Sequence, residues 1–190
     1  MIHPFIGFKM AGVLWYQGES NVGSTVYDQT LSALIASWRK AWKFDFPFYY
    51  VQIAPYDDGH QHFASVEIRN AQRKVLQQTK NIGMVVISDV GDIKDIHPKD
   101  KKSVGVRLAN LALSATYKTN SNLVNGPLYK EVIVKKNKVH VAFDFSEGLY
   151  FKNNNNSQFE VAGTNGIFHT AKATIKNNQV IVYSTNVKEP

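Results

Sequence analysis

Two short runs hold residue types that can do hydrolytic chemistry. Trp15-Tyr16-Gln17-Gly18-Glu19-Ser20-Asn21 sets a side-chain amide, a glycine N–H, a carboxylate and a hydroxyl side by side, and far downstream Asp95-Ile96-His97-Pro98 places an imidazole two residues after a carboxylate. Imidazole, with a reference pKa of about 6.5, is the side chain best matched to removing a proton from a nucleophile at neutral pH. An amide and a backbone N–H on a rigid strand end suit an oxyanion hole, where losing one donor typically costs about 10²–10³ in rate. The chemistry is that of an ester: His97 as base, Gln17 and Gly18 facing the developing negative charge, and Glu19 bracing the loop. The bland readings are a histidine capping a helix start and QGESN as a turn that caps a helix.

Three further groups compete for roles. Asp95 can orient the second imidazole nitrogen only if its loop turns sharply, Asp92 needs a wider turn, and a backbone carbonyl can replace both; Asp89 is expected to end a strand. Gly18-Glu19-Ser20 begins like a nucleophile elbow, but Val22 stands where the motif needs its second glycine, so Ser20 reads by default as leading a helix. Asp57, Asp58, His60 and His62 in DDGHQH alternate as zinc ligands can, but spacing implies no third ligand, and a solvated loop at the mouth of the site is expected, with no metal or cofactor. Tyr56 and Trp15 are candidates for stacking on a sugar, with core packing the alternative for Trp15.

The elements that must position these groups are readable. GVLWY (Gly12–Tyr16), PFYYVQIAP (Pro47–Pro55) and MVVISD (Met84–Asp89) are apolar runs bounded by breakers, as buried strands are. Between them Tyr27, Leu31, Leu34, Ile35, Trp38 and Trp42 mark one face of a helix from Val26 to Lys43, with Ser24 or Thr25 as its cap, and a polar helix spans Phe63 to Gln78. Asp100 opens a third helix through Val104, Leu108, Leu111, Ala112 and Ala115. Such alternation predicts a mainly parallel sheet with helices on both sides, whose functional groups gather beyond the carboxyl ends of the strands. Beyond Ser121 the texture changes to β-branched runs broken by Asn and Lys-Asn turns, as in EVIVKKNKVHVAFDF and KATIKNNQVIVYS. Two domains are predicted, 1–120 and 121–190, the second small enough to be expected to pack on the first.

Composition narrows the class. The 190 residues are 44% hydrophobic, enough for one good core, and no apolar run is long enough for a transmembrane helix, so no membrane partner is expected. No cysteine is present, which removes disulfide frameworks and thiolate metal sites and leaves the compartment open. The net charge of +7 is spread along the chain without interleaved stacking aromatics, which predicts a solvated basic surface and no nucleic-acid partner.

The pairing of WYQGESN with DIHP closely resembles the bacterial sialate O-acetylesterases, within the larger group of SGNH-type hydrolases. The likeness runs through GVLWYQGESNV, PFYYVQIAPY and DIHPKDK to FEVAG and AKATI in the β region. It implies an α/β class: a three-layer α/β/α, flavodoxin-like, mainly parallel sheet, truncated at its N-terminus and followed by a small C-terminal β domain. It implies a carbohydrate O-acetyl esterase acting on O-acetylated sialic acid or a related glycan, with a serine in a GQSN-like block as nucleophile, the histidine of the DIHP block as base, and the QGE block beside the oxyanion. No GQSN segment occurs in these residues, so the resemblance implies a fragment or a gene model begun late, inactive alone. In SGNH hydrolases the acid usually stands three residues before the histidine; here that residue is Lys94, a departure. Members are often exported, which implies a periplasmic or extracellular full-length protein, although MIHPFIGFKM lacks the features of a secretory signal. A sheet missing a strand has an open edge, so self-association into a homo-oligomer is also expected. Two rivals stand beside the esterase: a non-catalytic glycan-binding module using the surface around Tyr150 to Phe159, and a complete esterase using Ser20.

Overall fold

In the computed structural model the described residues are 2–57, 63–119, 124–152 and 158–190. The chain divides into two units, Met1–Val124 and Asn125–Pro190.

In the first unit three short strands, β1 (Val13–Tyr16), β2 (Phe48–Val51) and β3 (Ile82–Val85), pair in parallel in the order β1-β2-β3. Parallel neighbours need a crossover, and helices α1 (Tyr27–Trp42) and α2 (Ala64–Gln78) supply the two. β2 is buried throughout, so its alternating side chains define the layers. Phe48 and Tyr50 face α1 and α2: the Phe48 ring meets Trp38 at 6.4 Å, and the Tyr50 hydroxyl donates to Gln72 O at 2.6 Å. Tyr49 and Val51 face the other way, in a core with Val85, Val104, Leu108 and Leu111, where the third helix, α3 (Lys101–Ala115), packs. The result is a three-layer α/β/α arrangement, as expected from the alternation. Trp15 of β1 is half-buried, its ring 5.7 Å from Trp38 and 6.1 Å from Phe48.

Two local expectations need correction. Neither Ser24 nor Thr25 caps α1: Val26 holds the N-cap position without a side-chain cap, and Ser24 Oγ instead accepts from Val26 N–H at 3.4 Å, a step short of the first helical turn. The third strand stops at Val85, not Asp89. Beyond it the backbone leaves the ladder, because Val86 O is taken by Arg107 at 2.6 Å and Ile87 O accepts the N–H groups of Val90 and Gly91 in a turn.

The second unit is an antiparallel sheet of β4 (Leu128–Lys135), β5 (Lys138–Asp144), β6 (Phe159–Ala162), β7 (Phe168–Lys176) and β8 (Gln179–Tyr183), ordered β4-β5-β8-β7-β6. Its core gathers Val161, Ala171, Ala173, Val180, Val182 and Val187. The β7–β8 hairpin closes through Asn177 and Asn178, both at positive φ (50° and 57°), the conformation that tight hairpin turns require and that asparagine tolerates.

Candidate active site

β1 delivers its last residue, Tyr16, to the carboxyl end of the parallel sheet, and the chain then turns sharply. Gly18 has φ 153° and ψ −27°, and a Cβ there would stand 2.7 Å from Ile53 Cγ2 and 3.1 Å from Gln72 Nε2, so glycine is required by both conformation and space. Glu19–Asn21 form a single 3-10 turn closed by Asn21 N–H donating to Gly18 O at 2.9 Å.

Gln17 is held from three sides. The Tyr27 hydroxyl shares its proton between Gln17 O (3.1 Å) and Oε1 (3.0 Å), Gln17 Nε2 donates to Asn21 Oδ1 at 2.6 Å, and Gln72 Nε2 donates to Gln17 O at 3.2 Å. Gln72 is itself fully buried; its Oε1 accepts from Ile53 N–H at 3.0 Å and its Nε2 also reaches Val51 O at 3.2 Å. One glutamine of α2 thus ties together the chain where it leaves β1 and where it leaves β2. Burial raises the Tyr27 and Tyr50 phenols above their ordinary pKa, so both stay protonated donors.

The histidine loop is shaped by its own carboxylates. Asp92 Oδ1 accepts from Lys94 N–H at 2.9 Å, Asp95 Oδ1 from His97 N–H at 2.9 Å, and Asp100 Oδ1 from Ser103 N–H at 2.9 Å, with the Ser103 hydroxyl on Asp100 Oδ2 at 2.5 Å. The first two are Asx turns and the third is the N-cap of α3. Asp57 N–H, donating to Ile93 O at 2.7 Å, ties this loop to the one after β2, and Gly91 allows a close approach there: a Cβ would lie 2.8 Å from Ala54 Cβ. Asp89 is held by Arg107, whose two terminal nitrogens each lie 2.7 Å from one of its oxygens.

The two loops share a cavity of about 440 Å³, lined by Tyr16, Glu19 and Ser20 from the first and by Ile96, His97, Pro98 and Lys101 from the second. That volume is in the range of small-ligand sites. The His97 side chain is 87% exposed, and its Nδ1 lies 3.9 Å from Asp95 Oδ1, the carboxylate that already holds its backbone N–H. The Lys101 ammonium sits 5.0 Å from the centre of the Tyr16 ring. Burial, and secondly the charge of Glu19, raise the Tyr16 phenol above its ordinary pKa, so it is neutral at physiological pH.

The structure therefore brings Glu19 and His97 to one cavity. Asp95 stands behind His97, while Gln17 and Gly18 lie beside the cavity without lining it, the Gln17 amide engaged by Tyr27 and Asn21. Asp92 spends one oxygen on its own turn. Ser20 lines the same cavity as His97. Of the zinc candidate DDGHQH, Asp58, His60 and His62 lie outside the described residues. In the second unit Tyr150 is exposed while Phe151 and Phe159 pack on each other at 6.0 Å, and residues 153–157 between them are outside the described set. Gln72 and Lys101 escaped the sequence reading. The signal for Gln72 was there: an amide on the apolar face of α2, in register with Ile68 and Val75.

A family model for the carbohydrate esterases described as sialic acid-specific acetylesterases matches residues 3–114, which hold both loops. The chain belongs to this family. Sialate O-acetylesterase from Homo sapiens is 28% identical over 183 residues, covering 85% of this chain and 35% of its own length. The Rattus norvegicus enzyme is 27% identical over 182 residues, with 85% and 34% covered. The crystal structure of a carbohydrate acetylesterase from Xanthomonas citri matches with a TM-score of 0.92 and 34% identity, over 100% of this chain and 46% of that one. The chain thus spans about a third of the curated relatives it matches. Esterase family and α/β/α fold agree with the reading from WYQGESN and DIHP.

Proposed function

We propose that the protein hydrolyses O-acetyl esters on sialic acid or a related glycan, with His97 as the proton-transfer group. The observation that carries this is the single cavity lined by both the Glu19–Ser20 turn and His97. In the reaction a serine hydroxyl, contributed from outside these 190 residues, attacks the acetyl carbonyl carbon while His97 Nε2 takes its proton. The carbonyl oxygen becomes an oxyanion, for which the second Nε2 hydrogen of Gln17 and the Gly18 N–H are the nearby donors. The bond to the sugar oxygen then breaks, and that oxygen receives the proton from His97. Water, deprotonated by His97 in turn, attacks the acetyl-serine and releases acetate and free serine.

Asp95 is the orienting carboxylate in this scheme. At 3.9 Å its oxygen is beyond hydrogen-bond reach of Nδ1, and such contacts commonly tighten in the substrate complex. The test is hydrolysis of p-nitrophenyl acetate and of 9-O-acetylated sialic acid by the full-length protein. His97→Ala is expected to lower kcat/KM by about 10²–10⁴; a full-length variant that keeps its rate refutes His97 as base.

Ser20 supports a second reading because it lines the same cavity as His97. In that reading Ser20 is the nucleophile. Labelling with a fluorophosphonate, mapped by peptide mass spectrometry, separates the two: modification at Ser20 favours the second, and modification at an upstream serine favours the first.

A further inference from the structure

The cavity has a charge arrangement that proton transfer to and from His97 does not use. Lys101 lines it, and no carboxylate lies within ion-pair distance of its ammonium among the described residues, whereas the neighbouring Lys99 approaches Asp95 at 4.0 Å. Glu19 lines the same cavity without pairing with Lys101. The ammonium is instead held over the Tyr16 ring at 5.0 Å, and the ring is anchored by its packing against the core under α3. A tyrosine face attracts a cation but leaves its N–H donors unspent, so the charge is positioned and still available. The Tyr16 phenol is neutral and does not quench it. Asp100, one residue before Lys101, has its two oxygens committed to Ser103, and Asp95 faces His97 and Lys99.

We infer that Lys101 is a specificity-determining residue that recognises the carboxylate of an acidic sugar, with Glu19, which lines the same cavity, accepting from its hydroxyls. The inference rests on the esterase reading above and deepens it, because it names which feature of the glycan the cavity selects. A ligand with one anionic end and one hydroxyl-rich end matches a cavity lined by both a cation and a carboxylate. A neutral acetylated sugar leaves Lys101 without a partner. The pairing is solvent-exposed, so its effect is modest and sensitive to salt.

The experiment uses the full-length protein and compares kcat/KM for 9-O-acetyl-N-acetylneuraminic acid with that for its carboxyl methyl ester, which is neutral. The acid is expected to be favoured by about fivefold at low salt, the preference shrinking as ionic strength rises. Lys101→Met is expected to bring the two substrates together, and Lys101→Arg to restore the preference. Equal rates on acid and methyl ester by the unaltered protein overturn the inference, as does a preference that survives Lys101→Met. Ligand-observed NMR of N-acetylneuraminic acid and its methyl ester reads the same discrimination without turnover. Failure of the esterase reading, seen as no hydrolysis of p-nitrophenyl acetate, is therefore distinguishable from failure of carboxylate recognition.

Discussion

Replacing Gln72 by leucine tests the claim that one buried amide fastens the exits of two strands. The substitution nearly conserves volume, so cavity and overpacking effects are small. It removes an acceptor from Ile53 N–H and a donor from Gln17 O and Val51 O, all at buried or partly buried positions. Gln17 O keeps the Tyr27 hydroxyl, so the uncompensated groups are chiefly Ile53 N–H and, in part, Val51 O. At about 1–3 kcal/mol for each buried group left unpaired, less the gain from burying an apolar side chain, the net loss is about 2 kcal/mol. All three tryptophans, Trp15, Trp38 and Trp42, lie in the first unit, so tryptophan fluorescence during urea titration reports that unit alone. With a slope of about 2 kcal/mol per molar urea, the midpoint is expected to fall by about 1 M. In the full-length protein Gln72→Leu is also expected to depress kcat/KM, since the backbone of Gln17 and Gly18 loses its tether. A midpoint shift below about 0.3 M, well under the cost of one buried unpaired donor, refutes the argument.

Two further outcomes follow from the histidine loop. Gly91→Val sets a branched side chain against Ala54, where even a Cβ stands 2.8 Å from the Ala54 methyl; the expected cost is about 1–3 kcal/mol in the same urea assay, with at least about a tenfold fall in kcat/KM as the loop is displaced. Hydrogen bonds from the Ser103 side chain and backbone hold the Asp100 carboxyl below its ordinary pKa. The folded-state value is the lower one, so the cap's contribution is fully present above about pH 4 and is lost as pH falls through the lowered folded value. Protection of the Ser103 amide, followed by NMR across that range, is expected to show this loss; an Asp100→Asn variant with the same acid limb refutes it.

The parts of the fold set by periodicity were legible in the chain. The apolar spacing of Tyr27, Leu31 and Ile35 and the unbroken run Phe48–Val51 have no other stable placement than a helix face and a doubly covered strand. That both chemistry-bearing loops leave the same end of one sheet follows from strand–helix alternation. What pattern reading misses is where side chains interrupt the backbone ladder. Val85 ends β3 because a guanidinium from α3 claims the next carbonyl, a contact between residues remote in sequence. The register of Gln72 with Ile68 and Val75 marks it as inward-facing, but spacing along the helix does not reveal that its partners are Ile53 and Gln17. Which acid lies nearest His97 also resists counting, because Asp92 and Asp95 each fold the chain back on themselves before either can reach the ring.

Near and distant pairings are combined in this fold. Adjacent hairpins let β7 and β8 zip from Asn177–Asn178 outward, using neighbours only a few positions away. The cavity between the Glu19–Ser20 turn and His97, by contrast, exists only after both helical crossovers have closed and all three parallel strands have found register. Pairing across a hairpin thus needs only neighbouring residues, whereas the β5–β8 ladder of the second unit and the cavity of the first each wait on segments remote in the chain. A substitution that slows either helical crossover is therefore expected to delay the appearance of the cavity without delaying the β7–β8 hairpin.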